Sequence, residues 1–156
     1  MAFTVTIVID RSFEVECAYD KVFELLADVP KSVSHFPKVD QLVDIGDNSY
    51  RWEMEKIGVD KYFIQTVYAS KYTNDKDEGW VKWVPVPGVG NGIVEGHWKL
   101  EAITDDETAI EFHTKGDLTI PLTSFVKFLV SPIVVQQFNS LVDQYHENLK
   151  KAFSSL

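Results

Sequence analysis

The sequence predicts an α+β fold in which a curved antiparallel sheet of seven strands wraps around one long C-terminal helix, with two short helices after the first strand. Three observations predict it. Residues 39–120 read as strand after strand separated by turn residues. Helical spacing of apolar residues occurs only after the first strand and after Pro121. The chain has 156 residues, 45% hydrophobic and 13% aromatic, enough to fill a core and line a cavity without disulfides.

Residues 3–17 alternate as a strand, with Phe3, Val5, Ile7, Ile9, Phe13, Val15 and Cys17 on one face. Arg11 breaks that face. A bulge at Asp10-Arg11-Ser12 that turns it to solvent is favoured over an inward guanidinium, because an unpaired buried charge is costly. Tyr19 to Asp28 then takes helical spacing through Val22, Phe23, Leu25 and Leu26, and Pro30 closes it. A short turn, Lys31 to Phe36, ends at Pro37.

Six strands follow: Val39 to Ile45, Tyr50 to Ile57, Tyr62 to Tyr72, Gly79 to Val84, Gly92 to Ile103 and Thr108 to Ile120. Turn chemistry separates them at Gly46-Asp47-Asn48, Gly58-Val59-Asp60, Asn74 to Asp77, Pro87 to Asn91 and Asp105-Asp106-Glu107. Around the last turn, pairing Trp98 with Phe112 and Leu100 with Ile110 makes one face apolar. The same register sets Glu95 opposite Lys115 and Lys99 opposite Glu111 on the other face.

Carrying this alternation through the other hairpins gives a concave face of Trp52, Met54, Ile64, Thr66, Tyr68, Val81, Trp83, Val94, Trp98, Phe112 and Thr114. A face so rich in aromatics must be covered. The segment after Pro121, with Leu122, Phe125, Leu129, Ile133, Phe138, Leu141, Val142, Tyr145, Leu149 and Phe153 as its stripe, is the cover. Pro132 inside it predicts a kink or a split after Ser131.

The order strand, two short helices, six-stranded meander and long helix resembles the START-related superfamily, which includes the major birch-pollen allergen, aromatic polyketide cyclases and coenzyme Q-binding proteins. Val15-Glu16-Cys17-Ala18-Tyr19-Asp20-Lys21-Val22-Phe23 looks like the family's approach to its first helix, followed by Asp28 and His35-Phe36-Pro37. Glu95 to Leu100 with Thr108 to Phe112 looks like its penultimate hairpin, and Ile120-Pro121-Leu122 like its approach to the last helix. The resemblance implies a helix-grip domain spanning residues 1–156, with a cavity between sheet and helix.

The expected ligand-binding residues are Trp52, Met54, Thr66, Tyr68, Trp83, Trp98, Phe112, Thr114 and Phe138, a mostly apolar wall with a few orienting hydroxyls. The favoured function is noncatalytic binding or transport of a small lipophilic molecule, with no cofactor. The alternatives are a cyclase- or dehydratase-like enzyme and a chaperone-like protein-interaction module. No carboxylate or histidine is expected on the concave face of the meander, so no catalytic residue is assigned. His97 and His113 face each other on the convex side with Glu95 and Glu111 nearby, and a metal site is not expected there. His35 is placed near the cavity mouth, and His146 is read as a surface or capping residue.

A formal charge of −9 argues against nucleic acid and anionic membranes as partners. The N-terminus does not read as a signal peptide, and the apolar run from Phe125 to Val135 is too short to span a bilayer. Cys17 is the only cysteine, so the expected location is cytoplasmic.

Overall fold

The computed structural model describes residues 2–59 and 61–156. Asp60, at the end of the expected Gly58-Val59-Asp60 turn, and Met1 lie outside the described residues. The architecture is the helix grip: strand β1 (Phe3–Val15), helices α1 (Tyr19–Ala27) and α2 (Val29–Val33), strands β2 (Val39–Gly46) to β9 (Glu107–Ile120), and helix α3 (Lys127–Ser154). A seven-stranded antiparallel sheet runs in the order β1-β9-β8-β7-β6-β3-β2, where β3 is Ser49–Met54, β6 Val67–Asp75, β7 Trp80–Pro85 and β8 Gly92–Thr104.

The β8–β9 register is the one the sequence predicts, with Trp98 opposite Phe112, Glu95 opposite Lys115 and Lys99 opposite Glu111. Lys99 nevertheless donates to the carbonyl of Glu78. One expected hairpin is more complex. Tyr50 to Ile57 and Tyr62 to Tyr72 break at Glu55-Lys56 and Gln65-Thr66, leaving a separate two-stranded ribbon, β4 (Ile57–Val59) with β5 (Tyr62–Ile64). Trp52 faces Tyr68 in the main sheet, whereas Ile57 faces Ile64 in the ribbon, so the pairing slips by one residue across the break.

Asn91 ties this end of the sheet together. Its amide donates to the Val67 carbonyl (2.9 Å) and its carbonyl accepts from Thr119 N (2.8 Å). Its side chain accepts from Val67 N and donates to the Gln65 carbonyl, both at 2.9 Å. The preceding Gly90 has φ +68°, and a Cβ there would meet the Val67 oxygen at 2.0 Å. The Pro87 to Asn91 loop is therefore pinned at its base.

Arg11 departs from expectation. β1 pairs with β9 without a register shift, so no bulge forms at Asp10-Arg11-Ser12 and alternation turns Arg11 toward the helix. It is not an unpaired buried charge: Nε meets Asp143 Oδ1 at 2.8 Å and Nη2 donates to Asn139 Oδ1 at 2.9 Å, both on α3. The guanidinium is about one-third exposed (35%), so the pair is screened. Arg11→Met is expected to lower unfolding free energy by less than about 1 kcal/mol in urea titrations; a loss of several kcal/mol would contradict this placement.

Asp28 and Pro30 do more than end α1. The Asp28 carboxylate accepts from Lys31 N at 3.3 Å and caps α2, whose first turn contains Pro30. At the other end of the chain, α3 begins at Lys127 after a short 3₁₀ turn at Ser124–Val126, not at Pro121. It runs through Pro132 without splitting. Pro132 lies near the helix start, and the carbonyl left without an amide partner, that of Phe128, belongs to an exposed residue.

The buried stripe of α3 is Val130, Val134, Leu141, Val142, Tyr145, His146, Leu149 and Phe153. From Leu141 onward it follows the expected face. Before that it is rotated: Phe125 and Phe128 are 84% and 77% exposed, and Leu129 is exposed too. By length and apolar content Ser124–Ser154 resembles a bilayer-crossing helix, yet its second half is the part gripped by the sheet.

Candidate ligand-binding cavity

A cavity of about 100 Å³ lies between the concave sheet, α3 and the two short helices. All nine residues named from sequence line it: Trp52, Met54, Thr66, Tyr68, Trp83, Trp98, Phe112, Thr114 and Phe138. Strand alternation brings seven of the first eight to one side, Thr66 joins them from the break between β5 and β6, and Phe138 reaches in from α3. Leu26, Val29, Ser32, Val33 and Phe36, from α1, α2 and the turn after them, close another side.

The aromatic walls are in contact. The Trp52 and Tyr68 rings stack with centroids 5.4 Å apart and planes 18° apart. Trp98 packs on Phe112 at 4.6 Å, and Trp83 lies 5.9 Å from the same Phe112 ring. Such rings offer flat apolar faces to a ligand.

Polar atoms are few, and most have partners. Trp52 Nε1 donates to the Tyr72 hydroxyl at 3.0 Å. The Tyr145 hydroxyl pairs with Ser32 Oγ, and Thr114 Oγ1 donates to the Glu95 carbonyl at 3.3 Å. Thr66 is 4% exposed, and its buried Oγ1 has no partner among the described residues. Burial raises the pKa values of Tyr68, Tyr72 and Tyr145 well beyond the ordinary phenol range. These phenols are therefore neutral hydrogen-bonding groups at physiological pH.

Among the described residues Asp117 is the only charged one along the wall, and its carboxylate turns away, accepting from Thr6 Oγ1 at 2.7 Å on the outer face. His35 does not line the cavity; its Nδ1 lies 3.0 Å from the Lys31 carbonyl. His97 and His113 face each other across β8 and β9 with ring centroids 5.5 Å apart, and His113 Nδ1 sits 2.6 Å from Asp10 Oδ1. Among the described residues no group of three His, Cys, Asp or Glu is arranged to hold a metal ion.

His146 contradicts its reading as a surface residue. It is 4% exposed and packs against Phe112 at 4.7 Å and Phe13 at 5.2 Å, behind the cavity wall. Its Nε2 is buried without a partner among the described residues. Desolvation, opposed in part by Asp143, pushes its pKa down to about 4.

Sequence reasoning missed Tyr72, Tyr145 and Ser32 as cavity residues. Tyr72 shares the parity of Tyr68 along β6, and Tyr145 lies in the α3 stripe, so both were within reach of periodicity. Ser32 comes from α2, whose placement against α3 is set by tertiary packing.

No protein-family model and no curated protein matches this sequence. Solved structures do match in fold. A START superfamily protein from Mycobacterium smegmatis is 10% identical with a TM-score of 0.66, over 95% of this chain and 97% of that one. An aromatase/cyclase from Streptomyces sp. R1128 is 14% identical with a TM-score of 0.61, over 95% and 91%. Norcoclaurine synthase from Thalictrum flavum, in complex with dopamine and hydroxybenzaldehyde, is 18% identical with a TM-score of 0.58, over 95% and 88%. Together with the seven-stranded grip around α3, these likenesses show that the chain has the START-related fold.

Proposed function

We propose that the chain works as one ligand-binding domain that holds a small lipophilic molecule in this cavity and carries it chemically unchanged. The observation behind this reading is the wall itself: aromatic and aliphatic side chains, a handful of neutral hydroxyls and, among the described residues, no acid or imidazole side chain turned inward. General acid–base chemistry needs a group that exchanges protons near neutral pH, and the buried phenols are shifted away from that range. The volume of about 100 Å³ suits a molecule the size of one aromatic ring. The dopamine and hydroxybenzaldehyde held by the norcoclaurine synthase structure are each built on one ring. The buried, unpaired Cys17 fits a cytoplasmic carrier.

Gly116 offers a test that fills the cavity without dismantling its wall. It lines the cavity, and a Cβ there would meet nothing closer than Val94 Cγ2 at 3.4 Å. Gly116→Leu is expected to retain the wild-type circular dichroism and to lose ligand. Native mass spectrometry of protein purified from its own host, with tryptophan fluorescence titrations, reads the difference. Wild-type protein that carries no organic mass and whose fluorescence ignores one-ring aromatics at millimolar concentration would refute the binding reading. A bound molecule released in altered form would refute passive carriage.

A further inference from the structure

Among the described residues two cavity hydroxyls, those of Thr66 and Tyr68, make no hydrogen bond, and of the two only Thr66 Oγ1 is fully buried. Ser32 and Tyr145 satisfy each other, Tyr72 is bonded by Trp52, and Thr114 spans to the β8 backbone. Thr66 lines the same cavity, and its Oγ1 is buried with nothing to bond among the described residues. Leaving such a group unsatisfied is costly, whereas a ligand oxygen beside it removes the penalty. A threonine hydroxyl can donate to a carbonyl or phenol oxygen, or accept from a phenol O–H.

Charge narrows the ligand further. Among the described residues no lining side chain offers a counter-ion, since Asp117 faces outward and Arg11 is engaged by Asp143 and Asn139. A carboxylate or ammonium entering the cavity would lose its hydration and gain no partner. The stacked Trp52–Tyr68 pair and the Trp98–Phe112 contact favour a flat ring between them.

We propose that the cavity selects an uncharged one-ring aromatic molecule carrying a hydrogen-bonding oxygen, and that Thr66 Oγ1 is the group that reads that oxygen. The proposal rests on the ligand-binding function above and adds its selectivity. It separates this cavity from one built for amines or acids, for which the wall holds no complementary charge.

The test uses three ligands of similar shape: p-cresol, p-xylene and 4-methylbenzoate. Dissociation constants are measured by tryptophan fluorescence at pH 7 on wild type, Thr66→Val and Tyr68→Phe. Wild type is expected to bind p-cresol about tenfold more tightly than p-xylene, the worth of one buried hydrogen bond. It is expected to bind 4-methylbenzoate at least about a hundredfold more weakly than p-cresol. Thr66→Val should bring the cresol-to-xylene ratio to about one, and Tyr68→Phe, which removes the other unpartnered hydroxyl, should lower it by less. Binding of p-cresol and p-xylene with equal affinity by wild type, a ratio that survives Thr66→Val, or one lost in Tyr68→Phe instead would overturn the role of Thr66. A benzoate that binds as well as p-cresol would overturn the charge selection. Failure of all three ligands to bind would instead bring down the binding function itself.

Discussion

Gly96→Ala is expected to be among the most damaging single substitutions in the sheet, lowering stability by on the order of 3 kcal/mol. Gly96 lies in the middle of β8, opposite Thr114 on β9 and Trp83 on β7. Its missing side chain is what lets the Trp83 indole lie across the strand. A Cβ at position 96 would sit 2.2 Å from the His113 carbonyl oxygen and 2.7 Å from Trp83 Cζ2. The first of these is backbone paired in the ladder, and the second belongs to a bulky ring already in contact with Phe112 and Tyr72. Neither can retreat cheaply. For a chain of this length the loss corresponds to a drop in melting temperature of roughly 6–12 °C. Gly116→Ala on the neighbouring strand is the control, because its Cβ makes only ordinary contacts. Equal melting temperatures for the two variants would show that Trp83 does not occupy the space over Gly96.

The second large effect is a dependence of stability on pH that originates at His146. Burial holds the imidazole neutral in the folded chain, with a pKa of about 4, whereas an unfolded histidine titrates near 6.5. Asp143 and Glu147 favour its protonation, and Arg11 and Lys150 oppose it. Because the folded pKa is the lower one, the unfolded chain binds more protons between the two values. Stability is therefore highest above about pH 6.5 and falls as the pH drops toward 4, by about 3 kcal/mol from this residue. His146→Leu keeps an apolar side chain among Phe13, Trp98 and Phe112 and removes the proton site. Urea denaturation at intervals from pH 7 to 4 should show a shallower decline for this variant than for wild type. Parallel curves would mean that the His146 proton affinity is the same in the folded and unfolded chain.

The hairpin of β8 and β9 could be read from sequence because two independent signals agree there. Alternation makes one face apolar, and the turn at Asp105-Asp106-Glu107 fixes where pairing begins, so Trp98 and Phe112 could be matched in advance. The first half of α3 carried no such signal. Phe125, Phe128, Leu129, Val130, Ile133 and Val134 surround the helix with apolar side chains, and periodicity cannot choose a face when most faces are apolar. Which side is buried was decided by contact with the sheet. Arg11 departs for a different reason: an unpaired inward charge is costly, but its partner Asp143 lies 132 residues further along the chain. His146 sat within the apolar stripe between Tyr145 and Leu149, and its polarity was given more weight than its position. The cavity wall was legible where β alternation supplied it, at Thr66, Tyr68 and the tryptophans. The contributions of α1 and α2, Ser32 among them, depend on how these helices dock.

The anchoring of Asn91 also governs how the molecule ages. Asn91 is followed by Gly92, whose small side permits its amide nitrogen to attack the asparagine side-chain carbonyl, expel ammonia and close a succinimide that hydrolyses to aspartate or isoaspartate. In the folded chain both ends of that side chain are held, Oδ1 by Val67 N and Nδ2 against the Gln65 carbonyl, and Gly92 is buried. The ring closure needs the side chain to swing out of these bonds. Once it has occurred, a carboxylate oxygen faces the Gln65 carbonyl where a donor stood, and the junction between β6, the β7–β8 loop and β9 cannot be restored. The chemical lifetime of this protein is thus coupled to how often that corner opens, and each period spent unfolded advances a clock that refolding does not reset.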